Sequence, residues 1–187
     1  IAYDNAQEAY TSRYTHETIA LGFAVTEEAM EDNLYVSVSE RYTKALARAF
    51  ANTKQVKGAN VLNNAFNSSY TGGDGKRLCA TDHPLVTGGS NSNRPTTGAD
   101  LNETSLEAAI IQIARKLIVP PALQFVSERL LKSLLRTGTA DNDINAMYNM
   151  SSVPEGYRVN HYLTDTNGWF LKTDVPNGLK MFERVKL

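Results

Sequence analysis

The sequence predicts an α+β fold, in which helices pack on a mixed sheet and one helix is too long for a compact globule of this size. Three observations carry that expectation. From Thr26 to Phe66, apolar or small residues recur every third or fourth position, with no proline and a single glycine, Gly58. Toward the C-terminus come three strand-like runs, Tyr157 to Leu163, Trp169 to Thr173 and Leu179 to Val185, with Asn167-Gly168 as a hairpin signal between the first two. Between these regions, two shorter helical patterns flank a buried-strand run at Lys116 to Val119.

Ile1 to Phe23 is rich in Tyr and Thr and alternates loosely, the composition of a strand or an extended arm. The chain starts at Ile1 rather than Met, so a preceding arm or signal is expected to be absent from it. Thr26 then caps the long helix, and Glu27 and Glu28 sit in the first turn, where carboxylates suit the positive end of the dipole. Met30, Leu34, Val38, Tyr42 and Ala45 begin a stripe that runs on to Phe66, with Glu40 and Lys44 as an i,i+4 pair. Roughly forty residues of helix span about 60 Å. A compact globule of this size is only about 40 Å across. Gly58 marks the place where such a helix would break.

Residues 67–100 are mostly loop, dominated by Gly, Ser, Thr, Asn and Asp. Loops of this length inside compact domains usually serve function or contact partners. Thr104 and Glu107 have capping-box spacing ahead of Leu106, Ile110 and Ile113. Pro120-Pro121 ends the strand run and starts another helix, with Leu123, Val126, Leu130 and Leu134 on one face and Gly138 as its stop. In IIQIARKLIVPP a helix runs directly into a strand without a turn residue, so missing residues are expected near 113/114; MFERVKL likewise stops in mid-strand.

The chain has 187 residues, 42% hydrophobic and 21% charged, an ordinary globular composition. Its 19 basic and 20 acidic residues leave a net charge of -1, which gives no global pull toward nucleic acid or an anionic membrane. One cysteine, Cys79, rules out an internal disulfide and fits a reducing compartment. No apolar run approaches the roughly 20 residues that span a bilayer.

The stretch YTGGDGKRLCATDHPLVTGGSNSN, from Tyr70 to Asn93, invites a catalytic reading. It fails the phosphate patterns. A Walker loop ending at Gly75-Lys76 needs glycine where Tyr70 stands, and Arg77 follows instead of Ser or Thr. A dinucleotide turn starting at Gly73 needs a small residue where Leu78 stands. Asp82-His83 lacks convergent ligands, since His16 and His161 have no ligand spacing to it, and Pro84 makes Asp-His-Pro a turn. Cys79 lies beside Lys76 and Arg77, but no base is identifiable for it. TADNDIN places Asp141, Asp143 and Asn145 as in a calcium loop, but Ala146 and Ser152 stand where Gly and Glu are required. Arg41, Lys44, Arg48, Lys54 and Lys57 line the long helix, interleaved with Glu31, Asp32 and Glu40, as on a solvated face. No catalytic, cofactor-binding or metal residues are assigned.

Read together, HETIALGFAVTEEAMEDNLY, ANVLNNAF, GGDGKRL with DHP and GGSNSN, SLEAAI, KLIVPPAL with RTGTADNDINA, and WFLKTD resemble the major capsid proteins of tailed bacteriophages. The nearest likeness is to Mu-like prophage major head subunits, over about Thr15 to Phe182. The resemblance implies the Hong Kong phage capsid fold. Residues 1–113 would hold an arm and extended-loop remnant and a peripheral domain, with the spine helix at about 26–66 and a glycine-rich connection at 67–100. Residues 114–187 would form an axial domain of mixed sheet and flanking helices, whose loops meet around the capsomer centre. It further implies self-assembly into hexamers and pentamers around double-stranded DNA, in the cytoplasm of a bacterial host. Portal, scaffold and decoration proteins would be partners, and packaged DNA would be held weakly and without sequence specificity. Two other readings stand beside this one. One is a small metal-dependent hydrolase using Asp74, Asp82 and His83; the other is a helical adaptor, which the lack of a sustained a/d heptad disfavours.

Overall fold

The computed structural model describes residues 10–32, 35–110, 114–136, 143–176 and 178–182. Residues 10–26 are extended and lead into α1 (Glu27–Glu31), where the Thr26 hydroxyl accepts the Ala29 amide as N-cap. Next comes α2 (Tyr35–Asn63), 29 residues long and therefore about 43 Å from end to end.

The single helix expected over 26–66 is thus two. The α1 turn closes at Asp32, whose amide donates to Glu28 O at 3.0 Å, and Leu34 of the expected stripe lies outside the described residues. Gly58 does not break α2. A lone glycine costs a helix about 1 kcal/mol relative to alanine, too little to interrupt a run of this length. The helix ends at Asn63, three residues early, where Ala65 switches to a tighter bond with Leu62 O.

The glycine-rich region 67–100 carries one small antiparallel pair, β1 (His83–Pro84) with β2 (Ser90–Asn91). Gly88 and Gly89 turn it with φ of 91° and 87°, a conformation that residues with a Cβ rarely adopt. Then α3 (Glu103–Ile110) begins on a reciprocal cap. Asn102 Oδ1 accepts from Ser105 N at 2.8 Å, and Ser105 Oγ accepts from Asn102 N at 3.0 Å. The expected Thr104/Glu107 capping box is therefore displaced by two residues, because Asn102 offers the stronger cap.

A three-stranded mixed sheet follows. Its centre is β3 (Ala114–Val119), flanked by β4 (Tyr157–Val159) in parallel and β5 (Phe170–Thr173) in antiparallel orientation. Leu117 stands opposite both Tyr157 and Leu171. The hairpin expected at Asn167-Gly168 is not formed, since β3 lies between the two strands that it would have joined. Those residues make a local turn in which Asp165 Oδ1 accepts the Asn167 amide at 2.9 Å. The central place goes to the strand richest in buried apolar residues. Of the run Tyr157 to Leu163, only the first three residues pair as a strand; Leu179 to Phe182 form none, and 183–185 lie outside the described residues. The junction at 111–113 also lies outside them.

A short 3-10 turn (Pro121–Leu123) leads into α4 (Gln124–Lys132), which stops before the expected Leu134. Ser133 turns extended there, with its hydroxyl bonded to Leu135 O. The proposed stop Gly138 lies outside the described residues. Asn145 caps α5 (Ala146–Asn149) by accepting from the Met147 and Tyr148 amides. Its amide donates to Leu130 O and Ser133 O, both at 2.9 Å, tying the end of α4 to α5. The core lies between the sheet and these helices: Leu101, Leu106, Leu117, Val119, Met147 and Val153, with Leu130, Trp169 and Leu171 packed against it. The chain is a mixed α+β protein.

Candidate functional site

The glycine-rich connection is held by its own side chains. Asn93 bonds the main chain at Leu78 O and Ala80 N, at 2.7 and 2.9 Å, and Cys79 N donates to Ala65 O at 2.9 Å. Arg77 Nη1 reaches Phe66 O at 3.0 Å, so the loop is sewn to the end of α2. Within it, Asp74 Oδ1 accepts the Lys76 amide at 3.0 Å, while Asp74 Oδ2 meets His83 Nδ1 at 2.6 Å. Asp82 is taken by the Lys76 ammonium.

The three residues of the hydrolase reading therefore separate into two pairs, Asp74 with His83 and Asp82 with Lys76. Among the described residues, no group of three His, Cys, Asp or Glu converges as metal ligands would. Burial raises the Asp74 pKa, but the hydrogen bond from His83, the Lys76 amide and the His83 charge bring it below the usual carboxylate value. Burial also pushes the Cys79 thiol up, against the smaller pull of Arg94 and Arg77, so this sulfur is held as a neutral thiol. Of the TADNDIN loop, Asp141 lies outside the described residues, Asp143 gives its carbonyl to the Arg136 amide, and Asn145 is spent as a cap. On α2, Lys44 pairs with Glu40 and Lys57 with Glu17.

The extended segment 10–26 lies along α2 in the opposite direction. Glu17 reaches Lys57 at 2.8 Å and Phe23 stacks on Tyr42 with centroids 5.5 Å apart. Tyr14 meets Phe182 at 5.0 Å, and Tyr10 OH donates to Pro84 O at 3.0 Å. At the other end of α2 a compact joint binds the sheet. Asn63 Nδ2 donates to Tyr162 O at 3.0 Å, its Oδ1 accepts the Thr164 amide at 3.1 Å, and Tyr162 OH donates to Asn52 Oδ1 at 3.0 Å. Phe66 stacks on Phe170 at 5.9 Å and carries the Arg94 guanidinium over its ring at 5.8 Å.

The chain also exposes many large apolar side chains. Among the described residues ten hydrophobic side chains are buried, whereas twenty-three large ones are exposed, including Phe125 at 72% and Met150 at 76%. Isolated exposed hydrophobics are normal, but an excess on this scale marks surfaces meant for contact. A family model described as phage capsid protein matches residues 8–186. The chain belongs to the phage capsid protein family. No curated protein and no solved structure matches it.

In a phage capsid protein, a structural component of the virion, the exposed apolar side chains have a natural use, because such a family implies self-association in a shell. Among the described residues no helix is long and apolar enough to cross a membrane. The surface-bearing elements are α2, the extended segment and the Leu134, Leu135 and Ile144 corner beyond α4, where Leu135 and Ile144 form an isolated bridge. Sequence reasoning missed the joint. Asn63 reads as a polar helix residue, and the one available signal was the run Asn60, Asn63 and Asn64 at a helix end, where amides find loop partners.

Proposed function

We propose that this phage capsid protein is the major head subunit of the Mu-like type, with the Hong Kong phage capsid fold. In this reading α2 belongs to the spine helix, and residues 1–113 are the arm and extended-loop remnant with the peripheral domain, in which 67–100 is a connection that touches neighbouring subunits. Residues 114–187 make the axial domain, in which the sheet, α4 and α5 carry the loops around the capsomer centre. Copies assemble as hexamers and pentamers into an icosahedral shell around double-stranded DNA, in the cytoplasm of a bacterial host. Portal, scaffold and decoration proteins complete the head, and DNA is held weakly and without sequence specificity, in keeping with a net charge of -1. Asp74, Asp82 and His83 serve architecture, and no residue is assigned to catalysis or to a cofactor.

The observation that carries this reading is α2. A helix of 29 residues, about 43 Å long, is fastened toward its C-terminal end to the segment after β4 through Asn52 and Asn63, and is contacted along its length by the extended segment 10–26. Such an element needs neighbours, and heterologous contacts repeated around closed rings supply them. Electron microscopy with sedimentation of the full-length protein tests it. Closed shells or rings of five and six are expected. A monodisperse monomer under every assembly condition overturns the reading.

A further inference from the structure

Two stretches of the glycine-rich connection form the walls of a seat for the start of the extended segment. On one wall stands Gly73. A Cβ there would fall 2.5 Å from Ser12 Oγ and 3.1 Å from Thr11 O, so segment 11–12 passes against the loop's bare main chain. On the other wall Pro84 O accepts the Tyr10 hydroxyl at 3.0 Å. Asp74 and His83, the residues next to these two contacts, are bonded to each other at 2.6 Å. Both are largely enclosed, with side chains 19% and 23% exposed. The Lys76–Asp82 pair joins the same two stretches, but nearer the solvent.

We propose that the Asp74–His83 bond is a latch that holds the two walls together and thereby fixes residues 10–12 on the connection. The segment depends on such a seat. Among the described residues none of its main-chain groups from 10 to 25 bonds to main chain, so side-chain anchors and close fit are all that define its path. Beside the Asp74–His83 bond the exposed Lys76–Asp82 pair joins the walls, and Asn93 ties the chain between them at Leu78 O and Ala80 N. The bridge between Thr71 and Arg77 closes only the first wall on itself, and β1–β2 closes only the second. Of the two side-chain pairs that span them, Asp74–His83 is the more enclosed, and so is less weakened by water than the Lys76–Asp82 pair. Asp74 and His83 are thus positioning residues, which act on Ser12 and Tyr10 through their chain neighbours Gly73 and Pro84. The inference does not rest on the shell architecture proposed above.

The test uses the full-length chain with Cys79→Ala as background, in two readouts. In the first, Ser12→Cys with Gly73→Cys is oxidised and the rate of disulfide formation within one chain is followed. In the second, a nitroxide at Arg13→Cys reports the mobility of the segment from its spectral line shape, with Gly73 intact. Asp74→Ala and His83→Ala should each slow the crosslink at least fivefold and sharpen the line shape, and the double variant should add nothing. His83→Asn, which offers an amide N–H near the position of Nδ1, should recover most of both signals, and Lys76→Ala should leave both within twofold. Circular dichroism at 222 nm checks that α2 persists in each variant. Unchanged crosslinking and unchanged line shape in both alanine variants overturn the latch. So does a Ser12–Gly73 disulfide that forms only between chains.

Discussion

Replacing Asn63 with alanine should loosen the sheet from the end of α2 while leaving each intact. The side chain makes two bonds to the segment after β4, donating to Tyr162 O at 3.0 Å and accepting from Thr164 N at 3.1 Å. A net contribution of about 1 kcal/mol per bond gives about 2 kcal/mol, less at Thr164, which water can reach. Alanine is the better helix former, and returns roughly 0.5 kcal/mol at this last helical position. The expected net loss is about 1 to 1.5 kcal/mol, close to a tenfold change in the folding constant. At roughly 2 to 4 °C per kcal/mol for a chain of this size, the melting point should fall by about 2 to 6 °C. Urea unfolding of unassembled subunits should be followed at 222 nm, dominated by α2, and by fluorescence of Trp169, the single tryptophan, which packs against the core beside β5. In the variant the two curves should separate, with Trp169 reporting first. Coincident curves with an unchanged midpoint would refute the idea that this joint couples the two parts.

Four further outcomes are expected from other contacts. Trp169→Phe should cost at least about 1 kcal/mol by thermal melting, because it removes the Nε1 bond to Ala99 O together with part of a ring packed on the core. Trp169→Ala should cost more than Phe170→Ala, since Trp169 packs on the core while Phe170, on the opposite face, meets the part-exposed Phe66; equal losses by thermal melting would contradict these placements. Asp74 titrates below its unfolded value near 3.8, so its stabilising effect is present above that pH and lost as pH falls through the lowered folded value. Asp74→Asn should therefore flatten the stability curve below about pH 4, and an acid limb of the same slope would exclude this. Cys79, with its thiol pushed up by burial, should react with a disulfide reagent at pH 7 several-fold more slowly than a free thiol, and reach the free-thiol rate in urea. A native rate equal to the denatured one would place the sulfur outside the loop's packing.

The parts of the fold that repeat locally were legible. The spacing of Val38, Tyr42, Ala45 and Ala49 announces α2, and Pro120-Pro121 marks the passage from β3 to α4. The order of the strands was not. Asn167-Gly168 is a genuine turn, yet turn chemistry says nothing about which strand a chain returns to, and β3 took the place between its neighbours through long-range burial. The end of α4 was hidden for a similar reason, since Leu134 keeps the helical period while Asn145, far along the chain, claims Leu130 O and Ser133 O. At the glycine-rich connection, Asp-His-Pro reads as a turn, yet His83 and Pro84 form β1 and the turn lies at Gly88-Gly89, because two glycines with positive φ close the hairpin there. That His83 would find Asp74, nine residues earlier, depends on how the loop bends from Gly75 onward, and glycine permits too many paths for sequence to choose one.

The length of α2 also has a mechanical consequence. A helix held at Asn52 and Asn63 and lined by an extended segment is a lever with its pivot at the joint beside the sheet. With an arm of about 43 Å, a tilt of about 5° at the pivot carries the Tyr35 end through roughly 4 Å, which is enough to replace one set of side-chain contacts with another. The Asn63 and Phe66 contacts, although small, thus govern angular error at the far end of the rod. A slack pivot would scatter the directions in which copies of the chain present their α2 tips, and a stiff one lets many copies share a single curvature.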